Sequence, residues 1–80
     1  MRNLKTLNEY EALKHEALDE ASKGINEQAF MARFGVSMLE GMVANGYITT
    51  IKARYGTRVV LTAPGAKLLL DYEGLYGKVK

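Results

Sequence analysis

The sequence predicts an α+β domain in which three helices precede a two-stranded β-hairpin and a fourth helix follows it. In most of the chain the apolar residues recur every three or four positions, which is typical of helices with one buried face. Between residues 47 and 62 β-branched residues dominate and the period changes to two, which is typical of strands. The predicted elements are helices at 7–23, 27–34, 38–45 and 63–73, with the hairpin at 47–62.

Length and composition limit the domain to one small core. The chain has 80 residues, of which 48% are hydrophobic, as in ordinary folded domains. It contains no cysteine, which excludes disulfides, thiolate metal sites and cysteine nucleophiles. The first twenty residues contain no apolar run, so neither a signal peptide nor a membrane span is expected there. We therefore expect a cytoplasmic protein.

The first helix has recognisable ends. Thr6 and Glu9 have the spacing of a capping box, in which each side chain accepts a hydrogen bond from a free backbone N–H group of the other. Gly24 is predicted to end the helix because glycine enters the left-handed conformation at little steric cost. The predicted buried face comprises Leu7, Tyr10, Leu13, Ala17, Leu18 and Ala21.

Two short helices follow, separated by a glycine. Ile25 is a lone apolar anchor, and Asn26 is a favourable N-cap for the second helix. Gly35 is predicted to stop that helix, Ser37 to cap the third, and Gly46 to end it. The predicted inward residues are Ala29, Phe30 and Phe34 in the second helix and Leu39, Met42 and Val43 in the third. Two short helices joined by such a turn form a helix-turn-helix pattern.

The remaining elements complete the order of a winged helix. The runs "YITTIKA" and "TRVVLT" are predicted strands joined at "RYG", where Gly56 takes a positive φ. Thr62 is predicted to cap the last helix, and Pro64 is tolerated in its first turn because the N–H it lacks would be unpaired there. Gly74 and Gly77 are expected to mark fraying of this helix towards the C-terminus.

The motifs "INEQAFMARFGVS", "NGYI" and "LTAPGAKLLL" resemble the winged helix-turn-helix superfamily across nearly the whole chain. Residues 10–73 are most similar to the small C-terminal domain of coproporphyrinogen-oxidase-like radical-SAM proteins. Those enzymes carry their chemistry in a separate barrel with a cysteine-bound iron–sulfur cluster, and this chain has neither. The resemblance therefore implies the fold alone, without catalytic residues or cofactor. For function, the wider superfamily implies mostly double-stranded DNA binding and, in a minority, protein binding.

Catalysis is not expected from these residues. His15 is the single histidine, and it lies between Lys14 and Glu16 on the first helix with Asp19 one turn further on. One histidine does not make a typical zinc site, so we interpret it as part of a solvated helix face. The glycines form no phosphate-binding loop motif. We therefore expect no enzyme activity, no metal and no cofactor.

The charge distribution favours a nucleic-acid partner. Residues 1–51 carry five basic and seven acidic groups, whereas residues 52–80 carry six basic groups and two acidic ones. If Ile51 and Ala53 pair with the apolar face of the second strand, then Lys52, Arg54 and Arg58 share the outer face of the wing. Tyr55 at the tip could contact a sugar or enter a groove. Such a wing, helped by Arg33 or Lys67, could neutralise roughly three to five phosphates.

The third helix is a weaker candidate for DNA contact. Base-edge readout normally uses Arg, Lys, Asn or Gln, and "SMLEGMVAN" contains no basic residue and one amide. Sequence-specific readout of the usual kind is therefore not expected. The secondary candidates for DNA contact are Arg33, Ser37, Met38, Asn45 and Lys67.

Two alternatives remain open at this stage. The basic hairpin has a purely structural explanation, because Lys and Arg protect an exposed strand edge from aggregation. The protein could also be an interaction module without DNA binding, because its tyrosines and leucines exceed what one small core must bury. A possible homodimer face comprises Tyr10, Leu70, Tyr72 and Tyr76.

Overall fold

A computed structural model describes residues 9–78 of the chain. Within these residues the protein forms four α-helices and one three-stranded antiparallel sheet, so the predicted α+β class is confirmed. The elements are α1 (Glu9–Lys23), β1 (Ile25–Asn26), α2 (Glu27–Phe34), α3 (Val36–Ala44), β2 (Ile48–Ala53), β3 (Gly56–Leu61) and α4 (Ala63–Tyr76). No helix in this part of the chain is long and apolar enough to cross a membrane.

The sheet contains a strand that the sequence did not predict. β1 pairs with β3, which places Ile25 opposite Val59 and gives the strand order β1-β3-β2. The predicted two-stranded hairpin is present as β2–β3, but the prediction that Ile25 is a lone anchor is wrong, because Ile25 belongs to a third strand of the same sheet. A two-residue strand is too short to show a period of two, and only its pairing with β3 defines it.

The core lies between the helices and the sheet. Phe30, Leu18, Ile48 and Val59 are its largest fully buried side chains. α1 packs against both α4 and β3, and α2 packs against α3 and β3. Within residues 9–78 the buried apolar residues are Ala17, Leu18, Ala21, Phe30, Phe34, Met38, Leu39, Met42, Ile48, Val59, Leu69 and Tyr72.

The helix ends agree with the sequence in part. α2 has the predicted bounds, and the Asn26 side chain caps it by accepting a hydrogen bond from the Gln28 amide at 2.9 Å. The predicted start of the first helix, with its Thr6 cap, lies outside the described residues, and its predicted end at residue 23 is confirmed. α3 begins at Val36, so Ser37 lies in its first turn and is not its cap.

The last helix is longer than predicted. α4 continues through Gly74 to Tyr76 and ends at Gly77, which has a φ of 86°. Gly74 has no positive φ, so the helical backbone continues through it. The space beside its Cα is open. The predicted positive φ of Gly56 is confirmed at 127°.

The end of α3 and the start of α4 are joined at a corner formed by Gly46, Tyr47, Thr62 and Gly65. This corner holds the two strands together at the base of the hairpin. The Thr62 amide donates to the Tyr47 carbonyl oxygen at 3.1 Å, and the Thr62 hydroxyl donates to the Gly46 carbonyl. The same hydroxyl accepts from the Gly65 amide at 3.1 Å, which confirms the predicted cap. Backbone and side-chain contacts of Thr62 therefore connect both ends of the hairpin to the helical core.

The buried face of α1 is rotated from the predicted one. Tyr10 and Leu13 are 62% and 38% exposed, whereas His15 is only 4% exposed and its ring stacks on Tyr72, with centroids 5.4 Å apart. The prediction of a solvated His15 is therefore wrong. α4 brings the Tyr72 ring against this side of α1, and that contact between distant segments leaves no periodic pattern in the sequence of α1.

Two other inward predictions are also wrong. Ala29 in α2 is exposed, and Val43 in α3 is 43% exposed. The sheet and α1 cover only one side of the α2–α3 pair. Ala29 and Val43 lie on the other side and therefore remain exposed to solvent. Val43 lines a groove between α2, α3 and β2.

Candidate nucleic-acid interface

The turn of the β2–β3 hairpin and most of β2 form the longest run of exposed residues between residues 9 and 78. Every residue from 49 to 56 is exposed, and Tyr55 in the turn is 89% exposed. The Arg54 guanidinium lies 6.0 Å from the centre of the Tyr55 ring. Among residues 9–78, neither Lys52 nor Arg54 takes part in an ion pair. The hairpin therefore offers two cations and an aromatic ring to an external partner.

The hairpin register separates the three cations that the sequence placed together. Residues directly opposite each other in an antiparallel pair share a face of the sheet. Lys52 is opposite Thr57, while Arg58 is opposite Ile51, one position away along the strand. Lys52 and Arg58 therefore lie on opposite faces, and their predicted convergence is wrong.

The length of the turn explains this difference. Ala53 pairs with Gly56, so only Arg54 and Tyr55 form the connection between the strands. The expected pairing of the two apolar sets requires a register shifted by one residue, and such a shift exchanges the faces of a strand. The core face instead carries Ile48 and Val59, which are both fully buried.

Arg58 is held by the body of the domain. Its Nη2 atom donates a hydrogen bond to the carbonyl oxygen of Gly24 at 2.6 Å. Gly24 directly follows α1, where the helix dipole presents its negative end and favours a cation. Arg58 therefore contributes to the fold and differs from Arg54, which lies in the exposed turn.

The secondary candidates for DNA contact also differ in how far their side chains are free to meet a partner. Arg33 forms an ion pair with Glu20 at 3.2 Å and lies over the Phe34 ring. The Asn45 side chain donates to the Gly41 carbonyl oxygen at 2.9 Å, and Met38 is 5% exposed within the core. Ser37 and Lys67 remain exposed. The expectation that Met38 contacts DNA is wrong, because its side chain is buried.

The outer surface of α3 is apolar and acidic. Val36 and Val43 are 52% and 43% exposed, and Glu40 lies between them. They border a groove of about 540 Å³ between α2, α3 and β2. The groove is lined by Glu27, Met31, Val36, Leu39, Glu40, Val43, Ala44 and Thr50. This surface has no cation to meet a phosphate, and the sequence did not reveal it because the spacing of Val43 predicts a core position.

The predicted dimer face is divided by the structure. Tyr10 and Leu70 are 62% and 66% exposed, but Tyr72 is only 9% exposed and stacks on His15. Tyr76 is half-buried, with its ring centre 5.8 Å from that of Tyr72. Tyr72 therefore belongs to the core of the domain, and its side chain is not available for contact with a second copy of the chain.

The buried histidine has one unusual feature. The Nε2 atom of His15 is buried and has no hydrogen-bond partner among the described residues. In the same part of the chain, no group of three His, Asp or Glu side chains is arranged to hold a metal ion. His15 stacks on Tyr72 and so belongs to the packing between α1 and α4.

Comparison of the chain with protein-family models, with curated proteins and with solved structures finds no match. The exposed hairpin supplies cations, and the groove beside α3 supplies apolar and acidic groups.

Proposed function

We propose that the domain is a winged helix that binds double-stranded DNA through its β2–β3 hairpin, which acts as the wing. The observation that carries this proposal is the uninterrupted exposure of residues 49–56, which presents Lys52, Arg54 and Tyr55 outside the core. A projecting basic hairpin can follow the DNA backbone without deforming the rest of the domain. Such contacts fix the position of a protein on a duplex and carry no direct sequence information.

The structure limits the strength of this interaction. Lys52 and Arg54 are available, and Arg58 is engaged by Gly24. With Lys67 as a further exposed cation, the domain would neutralise roughly two or three phosphates. That number is below the roughly three to five that a convergent basic face would reach. We expect weak, strongly salt-dependent binding in which the logarithm of affinity falls about 0.9 per contact against the logarithm of salt concentration.

The helix-turn-helix part contributes little to base recognition in this proposal. The outer surface of α3 carries Val36, Glu40 and Val43, and the negative charge of Glu40 would be repelled by the phosphates, so this surface stays outside the DNA contact. Arg or Lys to guanine and Asn or Gln to adenine are the usual base contacts. We therefore expect similar affinities for unrelated duplex sequences.

Fluorescence anisotropy of a labelled duplex at two salt concentrations tests the proposal. Lys52→Ala and Arg54→Ala should each weaken binding to unrelated sequences by similar factors and reduce the salt slope by about one. Lys23→Ala is the matched control, because it removes one positive charge from α1, where Lys23 pairs with Asp19 at 3.2 Å. An absence of salt-sensitive binding at low ionic strength would refute the proposal, as would an equal loss in the Lys23 variant.

A further inference from the structure

The groove between α2, α3 and β2 is a second surface with a chemistry different from that of the hairpin. Its apolar lining is contributed by Met31 from α2 and by Val36, Leu39, Val43 and Ala44 from α3. Leu39 is 7% exposed and forms part of the core, whereas Val36 and Val43 are half exposed. The groove is therefore continuous with the interior at Leu39 and open to solvent at its two valines.

The two valines are placed so that one ligand can cover both. Val36 and Val43 are seven residues apart, which is about two helical turns and places them on the same side of α3. Polar residues at these positions would leave the core unchanged, because neither side chain is buried within it. Exposed apolar side chains beside a groove with an apolar floor commonly mark an interaction site.

The charged residues of the groove determine which kind of partner fits. Glu27 and Glu40 are the two charged residues that line it, and both are acidic. A DNA phosphate would be repelled here, and an acidic peptide would be repelled for the same reason. A ligand with apolar side chains and flanking Lys or Arg residues would satisfy both the apolar lining and the two carboxylates.

We propose that this groove binds an amphipathic helical segment of a partner protein, with apolar side chains against Val36 and Val43 and basic residues against Glu27 and Glu40. The volume of about 540 Å³ lies within the range of roughly 300–1,000 Å³ that accommodates substantial ligands. Apolar anchors one or two helical turns apart are the usual means by which a helix occupies a groove. The inference goes beyond DNA binding, because it gives the domain a second partner at a separate surface.

Selection from a displayed random peptide library tests the inference while the partner protein is still unidentified. Peptides would be selected on the wild-type protein and counter-selected on a bare surface, and their binding would then be measured on Val43→Asp, which introduces a charge in the groove at a half-exposed position. We expect enriched peptides to share apolar residues at helical spacing with flanking Lys or Arg. A synthetic peptide of that consensus should bind Val43→Asp and Val36→Asp at least tenfold more weakly than the wild type.

Charge reversal then tests the role of the carboxylates. Glu40→Lys should weaken binding of the basic peptide by up to about fivefold, a small factor because exposed ion pairs contribute modestly. The same variant should bind a version of the peptide with Glu flanks more tightly than the wild type does. Leu70→Asp is the control, since Leu70 is an exposed apolar residue of α4 that does not line the groove. Its affinity for the peptide should equal that of the wild type.

Three outcomes would overturn the inference. The selected peptides could bind Val43→Asp as tightly as the wild type, the enriched flanks could be acidic or uncharged, or no peptide could be enriched over a bare surface. Circular dichroism on each variant identifies a loss of fold, and Val36→Asp gives a second substitution for the same comparison. Arg54→Ala should leave peptide binding unchanged, because Arg54 does not line the groove, so failure of the groove proposal remains distinguishable from failure of the wing proposal.

Discussion

The Arg58 guanidinium donates a hydrogen bond to the carbonyl oxygen of Gly24 at 2.6 Å. This bond connects β3 to the segment that directly follows α1, near a helix end whose last carbonyl groups lack helical partners. In the sheet, Arg58 is also opposite Asn26, the cap of α2. The side chain of Arg58 therefore joins β3 to the end of α1, and this structural effect can be separated from DNA binding by experiment.

Arg58→Ala should destabilise the domain, whereas Arg54→Ala should not. Hydrogen bonds to charged groups contribute about 1.5–3 kcal/mol, and solvent exposure of Arg58 reduces the expected loss of unfolding free energy to about 1 kcal/mol. Arg54 lies in the exposed turn, so its substitution should change the unfolding free energy by less than about 0.5 kcal/mol. Urea denaturation of both variants measures the difference. Equal losses of stability would contradict the role assigned to Arg58.

Gly65→Ala should destabilise the corner between the hairpin and α4. A Cβ atom at this position would lie 2.8 Å from the carbonyl carbon of Tyr47 and 2.9 Å from Leu61 Cδ2, and it would collide with the Tyr47 carbonyl oxygen. Because backbone atoms cannot yield as a flexible side chain does, we expect a loss of about 2–3 kcal/mol of unfolding free energy, measured by urea denaturation. Because the Gly65 amide donates to the Thr62 hydroxyl, the substitution should also weaken the contacts of Thr62 at the base of the hairpin.

Gly74→Ala is the matched control for the corner variant. Gly74 is an exposed residue within the same helix, and a Cβ atom there would meet no other atom within 4 Å. Alanine has a higher helix propensity, so this change should add about 0.5–1 kcal/mol to the unfolding free energy. If both alanine variants were equally stable, the close approach of Gly65 to Tyr47 would have no energetic importance.

The features that the sequence predicted are those that neighbouring residues determine. The Thr62 cap, the Asn26 cap and the positive φ of Gly56 each follow from rules that act over a few residues. The α+β order followed from the change of period between 44 and 48 for the same reason. Local chemistry was therefore sufficient for the order of the helices and the hairpin and for several of their ends.

The features that the sequence did not predict depend on contacts between distant segments. β1 exists through the pairing of Ile25 with Val59, thirty-four positions further along the chain. The separation of Lys52 from Arg58 depends on a two-residue turn, and a register shift of one residue would reverse it. The groove depends on the exposure of Val43, which the packing of α3 against its neighbours decides. No periodic pattern within one element contains this information.

His15→Phe should leave the domain as stable as the wild type or more stable. The ring of His15 stacks on Tyr72 at 5.4 Å, and its buried Nε2 atom has no hydrogen-bond partner among the described residues. Phenylalanine keeps the ring contact and removes the buried polar atom, whose desolvation costs about 1–3 kcal/mol. Thermal or urea unfolding measures the change.

His15→Ala provides the comparison for the phenylalanine variant. Loss of the ring leaves a cavity between α1 and α4, so we expect a decrease of about 2–4 kcal/mol in the unfolding free energy. If His15→Phe were destabilised to the same extent as His15→Ala, the imidazole would have a polar role that its surroundings do not explain.

The stability of the domain should fall at alkaline pH because of Tyr72. Burial raises the pKa of Tyr72 above its ordinary value of 10.0, and the negative charge of Glu11 adds to this increase. In the unfolded chain the phenol loses its proton near pH 10, whereas in the folded domain it retains it to a higher pH. The folded state therefore binds more protons in this window, and its stability decreases as pH rises from the unfolded pKa to the folded one.

Tyr72→Phe tests this assignment, because phenylalanine cannot ionise. Between about pH 8 and pH 11, the urea midpoint of the variant should decrease less than that of the wild type. Tyr55→Phe is the control, since Tyr55 is 89% exposed and its ring does not belong to the core. Its midpoint should follow the wild-type curve across the same range. Parallel curves for the wild type and Tyr72→Phe would contradict the prediction, because the loss of stability would then arise from groups other than Tyr72.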